Sequence, residues 1–226
     1  MNIVYAMTRE VYEWILPSLR SLKETNPKAK VFILCEDDHI DGLPVDCEFI
    51  NVSGQQWFPE WGVNYHNNFS YINLLKVVLP SILKCNKVIW LDIDTIICDS
   101  LEGMWKTDVT GKWVAAVPEY KGHYRPFGPD YYNMGVALLN LQQMRKDGAE
   151  EKMAEYLNTV PQPFADQDAW HKFGLPDKFA VLDLRYNENT ITGMTDNPAI
   201  VHYCGYTCWY NNPMLPRAGY QLKYIK

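Results

Sequence analysis

Asp92 and Asp94 stand two residues apart in the segment VIWLDIDTII, directly behind the apolar run KVIWL at 87–91. On an extended backbone that spacing turns both carboxylates to the same side of the chain, where they repel unless a cation joins them. A continuous apolar run of this length reads as a fully buried parallel strand, and open α/β sheets hold their ligands at the carboxyl ends of such strands. The chemistry on offer is therefore a divalent cation held by two carboxylate oxygens, with a phosphate-bearing ligand gripped locally beyond it. An ordinary acidic turn after a strand is the plain alternative.

The elements needed to deliver these acids to a sheet edge are visible along the chain. Residues 2–6 form a short apolar strand, and Thr8 then reads as the N-cap of a helix carrying Val11, Ile15, Leu19 and Leu22 at near-helical spacing. Pro17 is expected to kink or break that helix, because it removes a backbone donor. Strands follow at 30–34 and 47–52, a helical pattern at 70–83, the acid-bearing strand at 87–91, and further strands at 113–117 and 134–141. Residues 142–158 read as one polar helix and 199–203 as a last short strand. Strand, helix, strand in alternation implies an α/β fold with a mostly parallel central sheet flanked by helices, and 226 residues suit a single domain spanning 1–226.

Composition narrows the function. The 47% hydrophobic content excludes a disordered or coiled-coil chain. With 21 Lys and Arg against 27 Asp and Glu and no basic run, nothing builds an electrostatic footprint for nucleic acid. No apolar stretch approaches the ~20 residues of a membrane span, and the first residues enter a strand pattern without a signal-peptide layout. Six dispersed cysteines in a chain of this size read as reduced thiols of a cytoplasmic protein.

Two known families share an apolar strand ending in Asp-x-Asp. One is the haloacid dehalogenase-like phosphatases, whose first Asp attacks phosphorus. Here, however, Thr95 follows Asp94 directly where that family usually has one residue between, and no convincing acidic pair follows downstream. More blocks agree with the second family. MNIVYA, KCNKVIWLDIDTII, YNMGVALLNL, ADQDAW, LRYN and IVHYCG occur in the order of the corresponding segments of the family 8 glycosyltransferases, over positions 1 to about 209. The chain thus resembles that family, which includes retaining lipopolysaccharide galactosyl- and glucosyltransferases and glycogenin.

The resemblance implies a GT-A-type, Rossmann-like fold and transfer of a hexose from a nucleoside diphosphate sugar, by family habit UDP-glucose or UDP-galactose, to a glycan or protein acceptor. It implies manganese, or magnesium, on Asp92, Asp94 and His202. By itself His202 reads as a structural histidine. Ala6, Thr8, Lys76, Ile93, Glu119, Asn133, Gly135, Asp166, Gln167, Gly205 and Cys208 match donor-binding positions, with Asp166 and Gln167 at the sugar as the catalytic pair; Asp168 completes the Asp-Gln-Asp match. Without the family, Lys76 reads as a solvated helix face and Gly135 as a bulge glycine.

The departures are specific. Cys208 stands where the family carries a lysine that balances diphosphate charge, with Arg217 or Lys223 as candidate substitutes, and the stretch AMTRE lacks the acidic and amide residues that relatives use around the nucleobase. These losses leave a catalytically weak sugar-nucleotide binder as the alternative to a transferase.

Overall fold

The computed structural model describes residues 1–66, 70–119 and 130–225. Among them are nine strands, β1 (Asn2–Ala6), β2 (Lys30–Cys35), β3 (Cys47–Asn51), β4 (Val88–Leu91), β5 (Thr95–Ile97), β6 (Val114–Pro118), β7 (Tyr132–Leu139), β8 (Phe179–Val181) and β9 (Ile200–His202). The α-helices are α1 (Tyr12–Thr25), α2 (Leu79–Ile82), α3 (Glu102–Trp105), α4 (Leu141–Asp147), α5 (Ala149–Thr159), α6 (Asp166–Gly174) and α7 (Ala218–Leu222).

Seven strands make one sheet in the order β3-β2-β1-β4-β7-β6-β8. It is largely parallel, as the alternation of strands and helices requires, but β7 runs antiparallel to both its neighbours, β4 and β6. Both faces are covered, so the strands are apolar on both sides. Ile3, Tyr5, Ile33, Ile89 and Leu91 pack with Ile15, Leu19 and Leu22 of α1. Val4, Phe32, Leu34 and Trp90 pack on the other face with Leu75, Met153 and Trp170. The remaining strands, β5 and β9, pair antiparallel with Thr95 opposite His202.

Several local expectations need correction. Helix α1 passes through Pro17 without a break; Glu13, whose carbonyl loses its partner there, is exposed, so water can take the bond. The 70–83 stretch is mainly a 3-10 helix, Tyr71–Val78, followed by the short α2. Pro80 lacks the N–H that would bond the Lys76 carbonyl, which favours the tighter winding. The polar helix at 142–158 is two helices, because Gly148 adopts a left-handed φ of 60° and ends α4 with its N–H on the carbonyls of Met144 and Arg145. The acids do not continue the strand: β4 ends at Leu91, and Ile93 and Asp94 form the turn into β5.

All six cysteines are free thiols. No helix among the described residues is long and apolar enough to cross a membrane.

Candidate functional site

The turn after β4 is built to hold its two acids in place. The Asp92 N–H donates to the Gly135 carbonyl of β7 at 2.7 Å, the Thr95 hydroxyl donates to the Asp92 carbonyl at 2.8 Å, and the Tyr203 N–H donates to the Asp94 carbonyl at 2.8 Å. Trp90, two residues back on the strand, donates its indole N–H to Asp92 Oδ1 at 2.7 Å. The β5–β9 pairing then sets His202 beside the turn, with Nε2 at 3.2 Å from Asp94 Oδ1 and 3.9 Å from Asp92 Oδ2. One ligand atom from each of the three residues falls within 4.8 Å of the others.

The imidazole is oriented from behind. His202 Nδ1 meets the side-chain oxygen of Asn187 at 3.0 Å, so Nδ1 carries the hydrogen and donates it. The opposite nitrogen, Nε2, is buried and has no hydrogen-bond partner, although two carboxylates face it. Two carboxylates facing one buried imidazole nitrogen call for a positive charge between them, either a proton on Nε2 or a metal ion, and two oxygens with one imidazole nitrogen suit manganese or magnesium. Burial opposes charge on His202, yet the carboxylates of Asp94 and Asp92 outweigh it and hold its pKa above the usual histidine value. A proton and a divalent cation therefore compete for the same nitrogen.

Lys76 is not a solvated face. It is 3% exposed, lies 3.0 Å from Asp166 Oδ2 and 4.0 Å from Asp92 Oδ1, and sits 4.8 Å over the Trp90 ring. Burial raises the pKa of both Asp92 and Asp166, and the Lys76 charge offsets part of that rise. The 3-10 segment that carries it, Tyr71–Val78, is buried almost throughout, Leu75 and Val77 included.

Two cavities meet at the turn, and Asn73, Asp92, His202, Cys204 and Gly205 line both. The one of about 260 Å³ is walled by Lys76, Glu119, Asn133, Gly135, Asp166 and Gln167. Its polar groups are mutually fixed: Asn133 Nδ2 and Gln167 Nε2 donate to Glu119 Oε1 at 3.1 and 3.2 Å, while Gln167 Oε1 accepts from the Met134 N–H at 2.9 Å. The other, about 430 Å³, runs past Ala6, Thr8 and Ile93 to Trp14. One branch thus offers carboxylates and amides suited to hydroxyl groups, and the other adds the aromatic side chains of Trp14, Tyr206 and Trp209 to the acids of the turn.

Of the residues singled out in the sequence, Asp92, Asp94, His202, Ala6, Thr8, Lys76, Ile93, Glu119, Asn133, Gly135, Asp166, Gln167 and Gly205 line these two cavities. Cys208 does not. It is exposed, holds a left-handed φ of 52° and begins a 3-10 turn outside both cavities. The candidate substitutes for its missing lysine are engaged elsewhere, Arg217 with Glu188 and the Thr195 carbonyl, and Lys223 with Glu24. Asp168 is also outside. It is fully buried, accepting from the Tyr131 hydroxyl at 2.6 Å and the Phe164 N–H at 3.0 Å, and so braces the start of α6. Asn187, quoted in LRYN without a role, and Trp90 were not anticipated as supports; the asparagine ending LRYN was the available signal.

His171 gives a pH expectation. Buried behind β7, it accepts the Tyr132 N–H on Nε2 at 2.7 Å and faces the Gln167 carbonyl through Nδ1, and burial lowers its pKa to about 4. Since the unfolded value is about 6.5, the folded state is fully stable above that pH and loses up to about 3 kcal/mol as the pH falls toward 4. Urea unfolding across that range is expected to show the loss, with the His171 imidazole still neutral by NMR at about pH 5.5; a ring already charged there would refute the assignment.

The profile of glycosyl transferase family 8 matches residues 3–212. Over 160 residues the chain is 25% identical to general stress protein A of Bacillus subtilis, covering 58% of this chain and 56% of that one. Over 152 residues it is 28% identical to glycosyltransferase GlyA of Streptococcus pneumoniae, covering 62% of this chain and 21% of that one. The matched part is thus little more than half, or less, of these curated relatives. Among solved structures, a galactosyltransferase LgtC in complex with donor and acceptor sugar analogues shares the fold at a TM-score of 0.74 and 19% identity, over 100% of this chain and 95% of that one. The glycosyltransferase GlyE of S. pneumoniae does so at 0.76 and 17%, over 99% of this chain and 59% of that one. The profile match takes in the Asp-x-Asp turn, the β7 block, the start of α6 and the His202 strand alike, and the chain belongs to glycosyl transferase family 8.

Proposed function

We propose that residues 1–226 form one catalytic domain that transfers a hexose, with retention, from a nucleoside diphosphate sugar to a glycan or protein acceptor. UDP-glucose or UDP-galactose is the proposed donor, manganese or magnesium the cofactor, and the reducing cytoplasm the location. The observation that carries this reading is the convergence of the buried His202 Nε2 with the carboxylates of Asp92 and Asp94, their ligand atoms within 4.8 Å of one another, where the two cavities join. The solved complex of LgtC with donor and acceptor sugar analogues agrees with a two-substrate cleft in this fold.

In this mechanism Asp92, Asp94 and His202 hold the cation, which when bound neutralises charge growing on the departing diphosphate. Lys76 places its ammonium 3.0 Å from Asp166 and opposes the rise that burial imposes on that carboxyl's pKa. Glu119, Asn133 and Gln167 lock one another, so the sugar meets a preorganised polar wall and little reorganisation is needed as the anomeric carbon gains positive character. The phosphatase alternative loses its support with the family match.

Gly135 supplies a sharp test of the cation site. A Cβ there would lie 2.2 Å from His202 Cε1 and 2.7 Å from Asp92 Oδ2, so Gly135→Ala must displace two of the three ligands. Manganese affinity is expected to fall at least about tenfold, at an overpacking cost of about 1–3 kcal/mol. Unchanged affinity would place the cation elsewhere.

The test of the whole reading is calorimetric titration with UDP, GDP and ADP, each with and without manganese, followed by hydrolysis assays of the matching nucleotide sugars. Manganese-dependent UDP binding with turnover supports it. Binding without turnover gives the sugar-nucleotide binder, and no nucleotide binding at all overturns the reading.

A further inference from the structure

We propose that Asn187 is a positioning residue that fixes the ring of His202 and ties the cation site to the sugar branch of the cleft. This inference rests on the metal-dependent reading above.

Asn187 is fully buried and lines neither cavity, so it touches no ligand. Its amide lies at the centre of a hydrogen-bond chain. Oδ1 accepts from His202 Nδ1 and from Asn189 Nδ2, both at 3.0 Å, and Nδ2 donates to Asn133 Oδ1 at 2.9 Å. Asn133 Oδ1 also accepts the Gly135 N–H at 3.1 Å, and Asn133 Nδ2 donates onward to Glu119, which Gln167 bonds in turn. The sense of the chain is determined. With the Asn187 amide reversed, its oxygen would face the oxygen of Asn133 and its NH₂ would face the NH₂ of Asn189. Oδ1 therefore points at the imidazole, Nδ1 holds a hydrogen, and Nε2 is left to take the cation.

The backbone around Asn187 is equally constrained. Its N–H donates to the Leu184 carbonyl at 3.0 Å, its own carbonyl accepts the Thr192 hydroxyl, and Asn189 Oδ1 accepts the N–H groups of Ile191 and Thr192, each at 2.8 Å. One amide thus has a cation ligand on one side and, through Asn133, the sugar-facing wall on the other. A displacement of either side must be felt by the other, and by linkage the coupling acts equally in both directions.

Three measurements test this. In the wild type, ¹⁵N NMR is expected to show His202 Nδ1 protonated in both the metal-free and the magnesium-loaded protein; a bare Nδ1 in either state overturns the proposal. Free-manganese EPR is expected to show affinity about 10- to 100-fold weaker in Asn187→Ala, and within about threefold of wild type in Asn187→Asp, which keeps an acceptor for Nδ1. Finally, the wild type is expected to bind manganese at least about fivefold more tightly with UDP-glucose than with UDP, and Asn187→Asp, which cannot donate to Asn133, to lose that difference.

An Asn187→Ala protein that is folded by near-UV circular dichroism and binds manganese as the wild type does overturns the proposal. Should that variant not fold, Asn187→Asp and the wild-type spectra decide. A wild type that takes up no manganese defeats the metal reading itself, and the His202 ring ¹⁵N shifts of Asn187→Ala against wild type then decide whether Asn187 positions the ring.

Discussion

Asp94→Ala is expected to lower sugar transfer and donor hydrolysis by at least about 10³, since stabilisation of the leaving group by a bound cation is worth several kcal/mol and each ~1.4 kcal/mol is a factor of ten. The loss should be chemical and not structural. The Asp94 side chain is about one-fifth exposed at the rim and its carboxylate faces His202, so truncation opens no core cavity. Without Asp94, His202 also loses its nearest anionic neighbour. Manganese-dependent UDP binding should vanish in calorimetry while the circular dichroism spectrum and melting temperature stay close to wild type. Activity within tenfold of wild type would show that the Asp92-x-Asp94 turn does not hold the cation.

Lys76→Met is expected to damage stability as well as activity. Removing one member of a buried ion pair costs about 3–5 kcal/mol, because the other is left charged without compensation. Here the stranded group is Asp166, buried at the start of α6, with Asp92 4.0 Å from the departed ammonium. For a chain of this length that loss lowers the melting temperature by roughly 10 °C. The double variant Lys76→Met/Asp166→Asn removes the stranded charge and should recover most of the stability without recovering transfer. A single variant as stable as wild type would mean that Asp166 simply takes up a proton in its place.

How much of this was legible in the sequence depended on how local the signal was. KVIWL followed at once by Asp92-Ile93-Asp94 is one contiguous segment, and it marked both a central strand and the acids at its end. Its geometry was misread, since the acids converge through a turn and not through an extended strand. His202 carried no local signal, because the pairing that brings it in uses two three-residue strands, too short to show a period. Lys76 reads as a solvated helix face without the family, yet it lies in a 3-10 segment that is buried almost throughout. The reversed direction of β7 is set by which strands flank it, and residue alternation does not encode it. Gly148, by contrast, was readable as a helix stop and was passed over. The family resemblance supplied His202 and Lys76, whereas Asn187 needed coordinates, since a buried amide has meaning only through its partners.

The pairing of Thr95 with His202 also governs when the site can exist. The two residues lie roughly a hundred positions apart, so no local fragment can assemble the ligand set, and closing so long a loop carries an entropy cost before any ligand repays it. A nascent chain that has emerged only through β7 has Asp92 and Asp94 but lacks His202. The proposed cation between them would therefore act as a late clasp on the C-terminal segment, adding about 2.7 kcal/mol to its docking at a hundred times the dissociation constant. Depletion of that ligand should loosen β9 and α7 in hydrogen exchange well before it disturbs the strands laid down first.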